Sequence, residues 1–290
     1  MKVLGKLSIV LIALVFMSMK GDVEAYKYFD IKGKKANYKS LVNDASKADI
    51  VFFGELHNNP ISHWMQLELT KDLFDNKGTN LVMGAEMFES DNQLILDEYL
   101  SGKIKTKSFE DEARLWSNYK TDYKPLVEFA KENNLPFIAT NVPRRYASTV
   151  NKKGFEGLDS LSIEAKKYIA PLPVNYDPEV SCYKSMIEMM GGMGGHVTAN
   201  IPKAQAIKDA TMAHFILENW HAGETFLHYN GSYHSDDFEG IVWWLKQAKP
   251  ELNIVTITTV EQDTISALSE ENTGAADYIL CVPSNMTKTY

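Results

Sequence analysis

The chain has 290 residues, 44% hydrophobic and 23% charged, with a formal net charge of −8. That length and apolar content suit one large domain with a substantial core, and no repeat, low-complexity tract or proline-rich linker divides it. The acidic balance leaves no electrostatic footprint for nucleic acid or anionic lipid, so neither is an expected partner.

In chain order, an export signal comes first. Lys2 and Lys6 precede an almost unbroken apolar run from Leu7 to Met17, and Val23-Glu24-Ala25 offers small residues at the two positions a signal peptidase reads. The run falls well short of the roughly 20 apolar residues a spanning helix needs, which argues against a membrane anchor. Cleavage after Ala25 is expected, leaving residues 26–290 as a single α/β domain. The removed segment holds three lysines and two acids, so the mature charge is −9. No cysteine lies near the cleavage site, so the exported protein is not a lipoprotein by sequence. Cys182 and Cys281 remain, and either a disulfide or two buried thiols fits.

Strands and helices then alternate. Ala48–Glu55 is a short apolar run, as a strand buried on both faces reads. Asn58, Asn59 and Pro60 start a helix, in which Ile61, Met65, Leu69 and Leu73 recur every fourth residue as one buried stripe. A second strand is expected at Asn80–Met87, helices at Gln93–Leu100, Phe109–Trp116 and Lys124–Asn133, and a third strand at Pro136–Val142. Roughly residues 144–202 read as a less regular, helical insertion. Beyond it the pattern gives a helix at Ala204–Asn219, a strand at Thr225–Tyr229, a helix marked by Ile241, Trp244, Leu245 and Ala248, and strands at Asn253–Thr259 and Asp277–Val282. The expected fold class is therefore α/β, a mostly parallel sheet flanked by helices. In such sheets, sites form beyond the carboxyl ends of the strands.

Three strands end in polar residues. The first runs into Gly54-Glu55-Leu56-His57, the second into Glu86, and the strand at Thr225 into Gly231-Ser232-Tyr233-His234. Imidazole and carboxylate are ligands for borderline metals and general bases near neutral pH. One Gly-x-x-His is weak and more often structural. Two at strand ends, with two glutamates, point to a functional pocket. His57, Glu86 and His234 are the candidate metal ligands, for zinc or manganese, and Glu55 or Glu86 is then the candidate base in a hydrolase. The loop Met189–His196 is a lid over a flat ligand or a surface loop in about equal measure. With Met186, its methionines and His196 also permit a copper(I) site, a weaker reading.

The motifs GELH (54–57) and GSYH (231–234), with EMFESDNQLILDEYL (86–100) and AQAIKDATMAHFI (204–216) between them, resemble the ChaN family of haem-binding, iron-regulated proteins in the Tiki/TraB superfamily. The likeness runs from about Asp49 to Trp244. It carries Glu55, His57, Glu86 and His234 onto the family's site, with Asn141, Gln205, Asp209 and Met212 beside them. It implies haem bound on a tyrosine, with two haems stacked between two subunits. Tyr119 and Tyr123, in WSNYKTDYKPLVEFA, are the candidate tyrosines, and His196 a candidate second contact. The resemblance further implies a periplasmic or outer-membrane-associated homodimer serving iron uptake through outer-membrane haem transport machinery. A metal-dependent hydrolase is the alternative.

Overall fold

The structure of the protein, a computed structural model, describes residues 24–191 and 199–290. Its strands are β1 (Lys27–Asp30), β2 (Lys35–Ala36), β3 (Ile50–Glu55), β4 (Leu81–Glu89), β5 (Phe137–Asn141), β6 (Thr225–Gly231), β7 (Ile254–Gln262) and β8 (Tyr278–Pro283). They form one sheet in the order β2-β1-β8-β7-β3-β6-β4-β5. The six strands from β8 to β5 are parallel, and β1 lies antiparallel to both β2 and β8. Expectations for residues 1–23, Met193 and His196 lie outside the described residues, as do the side chains of Met189 and Met190.

The helices are α1 (Tyr38–Ala45), α2 (Pro60–Lys77), α3 (Gln93–Leu100), α4 (Thr106–Glu112), α5 (Lys124–Asn133), α6 (Arg144–Lys153), α7 (Ile163–Lys166), α8 (Ser181–Gly191), α9 (Ile201–Asn219) and α10 (Ile241–Ala248). Successive residues of the central strands face opposite helical layers. Val51, Phe53, Met83, Leu227 and Tyr229 pack with α2 and α5, while Ile50, Phe52, Val82 and Phe226 pack with α9 and α10. Helix α2 shows how the sequence dictates this. The Asn59 side chain caps it by accepting from the Ile61 and Ser62 N–H groups at 3.0 and 3.1 Å, a contribution of about 1 kcal/mol. All four stripe residues, Ile61, Met65, Leu69 and Leu73, are buried, each contributing about 1.5–3 kcal/mol.

The fold departs from the sequence pattern in three places. At its start, β1 and β2 are too short for a period to show, and α1 is not among the expected helices. The helix expected to reach Trp116 stops at Glu112, because Ala113 is already extended (φ −71°, ψ 142°). β4 continues past Met87 to Glu89, through a register shift against β5 between Ala85 and Glu89, so Glu86 sits at a bulge rather than at the strand's last residue. Cys182 and Cys281 are free thiols. Among the described residues no helix is long and apolar enough to cross a membrane.

Candidate functional site

The strand order places β3, β6 and β4 side by side, with Glu55 paired in register to Gly231 and Ala85 to Tyr229. Glu55 and Gly231 are therefore level at the carboxyl edge of the sheet, and Glu86, one residue past the last β4–β6 pair, reaches Gly231 with its carboxylate. Pleating sends Glu55 to the α2 side and Glu86 to the α9 side, and each carboxylate meets a different set of partners.

On the α2 side, Glu55 is buried and its carboxylate accepts three hydrogen bonds. Gln66 Nε2 donates to Oε2 at 2.6 Å, Tyr123 Oη donates to Oε1 at 2.6 Å, and His57 Nδ1 lies 2.8 Å from Oε1. His63 closes the back of this group: its Nε2 lies 3.0 Å from the His57 carbonyl oxygen and its Nδ1 3.1 Å from Gln66 Oε1. The His57 side chain is 38% exposed. Burial lowers its pKa, but the Glu55 hydrogen bond and the Glu86 and Glu55 charges outweigh that and leave it raised. With Nδ1 held by a carboxylate, Nε2 faces the gap toward Gly231 and Glu86. A methyl group added at Gly231 would lie 2.8 Å from His57 Cε1, 2.9 Å from Nε2 and 3.5 Å from Glu86 Oε2. Only glycine lets the three approach this closely.

On the α9 side, Glu86 Oε2 accepts from the Gly231 N–H at 2.8 Å and Oε1 faces His234 Nε2 at 3.2 Å. His234 Nδ1 contacts Asp209 Oδ1, and Asp209 Oδ2 accepts from Tyr183 Oη at 2.8 Å. Trp244 Nε1 donates to that same tyrosine oxygen at 2.8 Å. Burial would lower the His234 pKa, yet Glu86 and Asp209 lift it to about 10, so the ring is an imidazolium between two carboxylates. Glu86 answers in the opposite sense: burial pushes it up, but His234, His57 and the Gly231 N–H hold it well below the usual carboxylate range. Asn141 Nδ2 donates to the Glu86 carbonyl at 2.9 Å, while Asn141 Oδ1 is buried without a hydrogen-bond partner. His228, one turn of the pleat earlier on β6, is held by Thr140 and Asn230, and burial drops its pKa to about 4. It is a neutral core residue.

The two candidate tyrosines lie on one π-helical turn, Tyr119–Tyr123, a local feature often found at functional sites. They have different surroundings. Tyr123 joins the site through Glu55 and meets the rings of Trp116 and His63 edge-on. Tyr119 packs between Phe88 and Phe109, and its hydroxyl is buried without a partner. Burial first pushes both phenols far above their usual pKa, followed by Glu55 for Tyr123 and by Tyr99, Glu128 and Glu110 for Tyr119.

Trp116 sits edge-on to His57 with centroids 5.0 Å apart and continues outward as a wall of an open cleft of about 940 Å³, which Asn118, Arg144 and Tyr290 also line. Asn118 Nδ2 donates to the His57 carbonyl at 3.1 Å. Trp116 and Asn118 thus join the wall of the cleft to His57. Among the described residues, no group of three His, Cys, Asp or Glu side chains is arranged to hold a metal ion.

A sequence profile described as haem-binding uptake, Tiki superfamily, ChaN matches residues 41–245 of this chain. The chain belongs to the ChaN family. Its fold is similar to that of a solved structure of ChaN from Campylobacter jejuni described as showing cofacial haem binding, with 19% identity, a TM-score of 0.67, and coverage of 89% of this chain and 96% of that one. An erythromycin esterase in its open conformation is similar at a TM-score of 0.51 and 10% identity, over 90% of this chain and 98% of that one. The chloroplastic protein RETICULATA-RELATED 5 of Arabidopsis thaliana is 23% identical over 202 residues. The match takes in 64% of this chain and 26% of that protein, so the chain spans about a quarter of the plant relative.

Within this ChaN-family fold, Glu55, His57, Glu86 and His234 meet at one sheet edge, with Gln205 and Asp209 behind His234. Sequence reasoning missed His63, Gln66, Tyr183 and Asn118. A signal existed for two of them: His63 and Gln66 are three apart, on one face of α2 directly after the first Gly-x-x-His. Tyr183 lies in the insertion, where no pattern tied it to Asp209.

Proposed function

We propose that the protein is exported and binds haem for iron acquisition, holding it in the cleft beside His57 at the carboxyl edge of the sheet. The observation that carries this is the junction of a part-exposed histidine, oriented by Glu55, with a tryptophan-walled cleft of about 940 Å³. Cofactor sites are clefts of roughly this size, and tyrosine and histidine are haem-ligand side chains. The family assignment points the same way. Cofacial haem binding in the Campylobacter relative supports a pair of stacked haems; a second copy of this chain completing that pair, and handover to outer-membrane haem transport machinery, belong to the same proposal.

The axial ligand comes from the Tyr119–Tyr123 turn, with His196 as a second contact. Tyr123 is the stronger choice, because its phenol already belongs to the hydrogen-bonded chain through Glu55 to His57. To serve, it must exchange Glu55 for iron(III) and lose its proton, and the metal's charge offsets its raised pKa. The export reading is supported by the start of β1 at Lys27, so that cleavage after Ala25 leaves the first strand whole.

A second reading, a divalent-metal hydrolase using His57, Glu86 and His234 with Glu55 or Glu86 as base, has one observation in its favour. Each histidine has its Nδ1 against a carboxylate, Glu55 or Asp209, the arrangement that orients metal-ligating histidines. The two readings rank variants oppositely. If haem is bound on tyrosine, Tyr123→Phe removes the tyrosinate charge-transfer band and most affinity, while His57→Ala and His234→Ala weaken binding only partly. If the site is a metallohydrolase, the histidine variants lose zinc or manganese by elemental analysis and Tyr123→Phe keeps it.

A further inference from the structure

The outer wall of the cleft carries three arginines, Arg114, Arg144 and Arg145, in a protein whose net charge is −8. Two of them are matched by acids. Arg114 Nε donates to Glu89 Oε2 at 2.9 Å and its other end contacts Asp91, while Arg145 reaches Asp91 Oδ2 at 2.6 Å. Two cations facing two carboxylates leave this part of the wall close to neutral. Arg144 is exposed and makes no ion pair with a carboxylate among the described residues, so it is the surplus charge of the wall. Trp116 and Tyr290 add flat aromatic surface to the same cleft.

We propose that this wall is the anion-receiving end of the ligand site and that Arg144 pairs with the carboxylates of the bound macrocycle. The inference rests on the haem reading and adds a chemical requirement to it: the ligand is a flat ring bearing free carboxylates. A guanidinium presents a planar fork of donors that matches a carboxylate bidentately. The Arg114–Asp91–Arg145 bridge offsets the neighbouring cations and leaves one docking charge. Ser148 lies one helical turn from Arg144 on α6 and lines the same cleft, so residues 144 and 148 are neighbours on that helix surface.

The test compares ferric haem with its dimethyl ester, which keeps the iron and the ring but lacks both negative charges, in the same detergent buffer. The full mature protein should bind haem at least tenfold more tightly than the ester. Arg144→Gln should lower haem affinity about tenfold to a hundredfold, the loss of one charge-assisted contact, and leave ester affinity unchanged. Ser148→Asp, which supplies Arg144 with an internal carboxylate, should weaken haem in the same direction. Thermal unfolding of both variants, whose altered side chains are exposed, should match the parent. Equal affinity of the parent for haem and ester, or an Arg144→Gln variant that binds haem as the parent does, overturns this proposal while the haem reading stands. Binding of neither ligand by the parent overturns both together.

Discussion

Gly231→Ala is the most informative single substitution at the sheet edge. Gly231 has φ −57° and ψ 139°, a conformation any L-residue adopts, so the effect is steric rather than conformational. The new methyl carbon would lie 2.8 Å from His57 Cε1 and 2.9 Å from Nε2. Carbon atoms separate to about 3.5–4.0 Å, so the ring must retreat by roughly 0.7 Å or swing outward. It has room, since the side chain is 38% exposed, and the fold survives. The 2.8 Å contact to Glu55 does not: a displacement of that size takes it beyond hydrogen-bond range. Losing a bond to a charged partner costs about 1.5–3 kcal/mol. It also removes the chief influence holding the His57 pKa up against burial. Urea unfolding should therefore show a destabilisation of about 1–3 kcal/mol, and NMR titration of the His57 ring should show its pKa falling. Haem affinity should drop about tenfold with it. A variant with unchanged stability and an unchanged His57 titration refutes the argument that Gly231 sets the position of this ring.

Further outcomes follow from the buried groups. Tyr119→Phe removes a hydroxyl with no hydrogen-bond partner among the described residues, so thermal unfolding should show equal or slightly higher stability, by up to about 1 kcal/mol; a loss of that size means the hydroxyl is bonded. His234→Gln leaves Glu86 and Asp209 buried without their shared cation and should cost about 3–5 kcal/mol at neutral pH. The folded pKa of His234, about 10, lies above its unfolded value of about 6.5. Its stabilisation is thus complete below pH 6.5 and lost as pH rises through 10. Unfolding temperatures measured from pH 6 to 10.5 should fall across that window in the parent and less in His234→Gln. Intact mass of protein exported by a native host should correspond to a chain beginning at Tyr26; a retained Met1 contradicts the export signal.

The legible parts of the fold were those where one physical requirement governs a long stretch. The α2 stripe could be read because burial on one side demands a fourfold recurrence of Ile61, Met65, Leu69 and Leu73. The parallel strands could be read because burial on both faces demands continuous apolar runs, such as Ile50–Phe53. β1 and β2 could not, since four and two residues leave no period to detect. The site divides similarly. Strand ends pointed to Glu55, Glu86 and the two Gly-x-x-His motifs, because parallel sheets gather polar groups there. Which carboxylate meets which histidine depends on the register between β3 and β6 and on the bulge at Glu86, neither of which is encoded locally. Tyr183 reaches Asp209, and Trp244 reaches Tyr183, over sequence separations of 26 and 61 residues, a relation that only tertiary packing creates. Tyr119 and Tyr123 look alike as sequence, yet the π-helical turn separates a phenol bonded to Glu55 from one sealed between phenylalanines.

The most direct measurement is an absorbance titration of the purified mature protein with ferric haem, paired with elemental analysis of the same sample. A saturable Soret shift with a tyrosinate-type charge-transfer band, and no stoichiometric zinc or manganese, is the result expected of a haem site beside His57. Stoichiometric zinc or manganese with no spectral response to haem contradicts it.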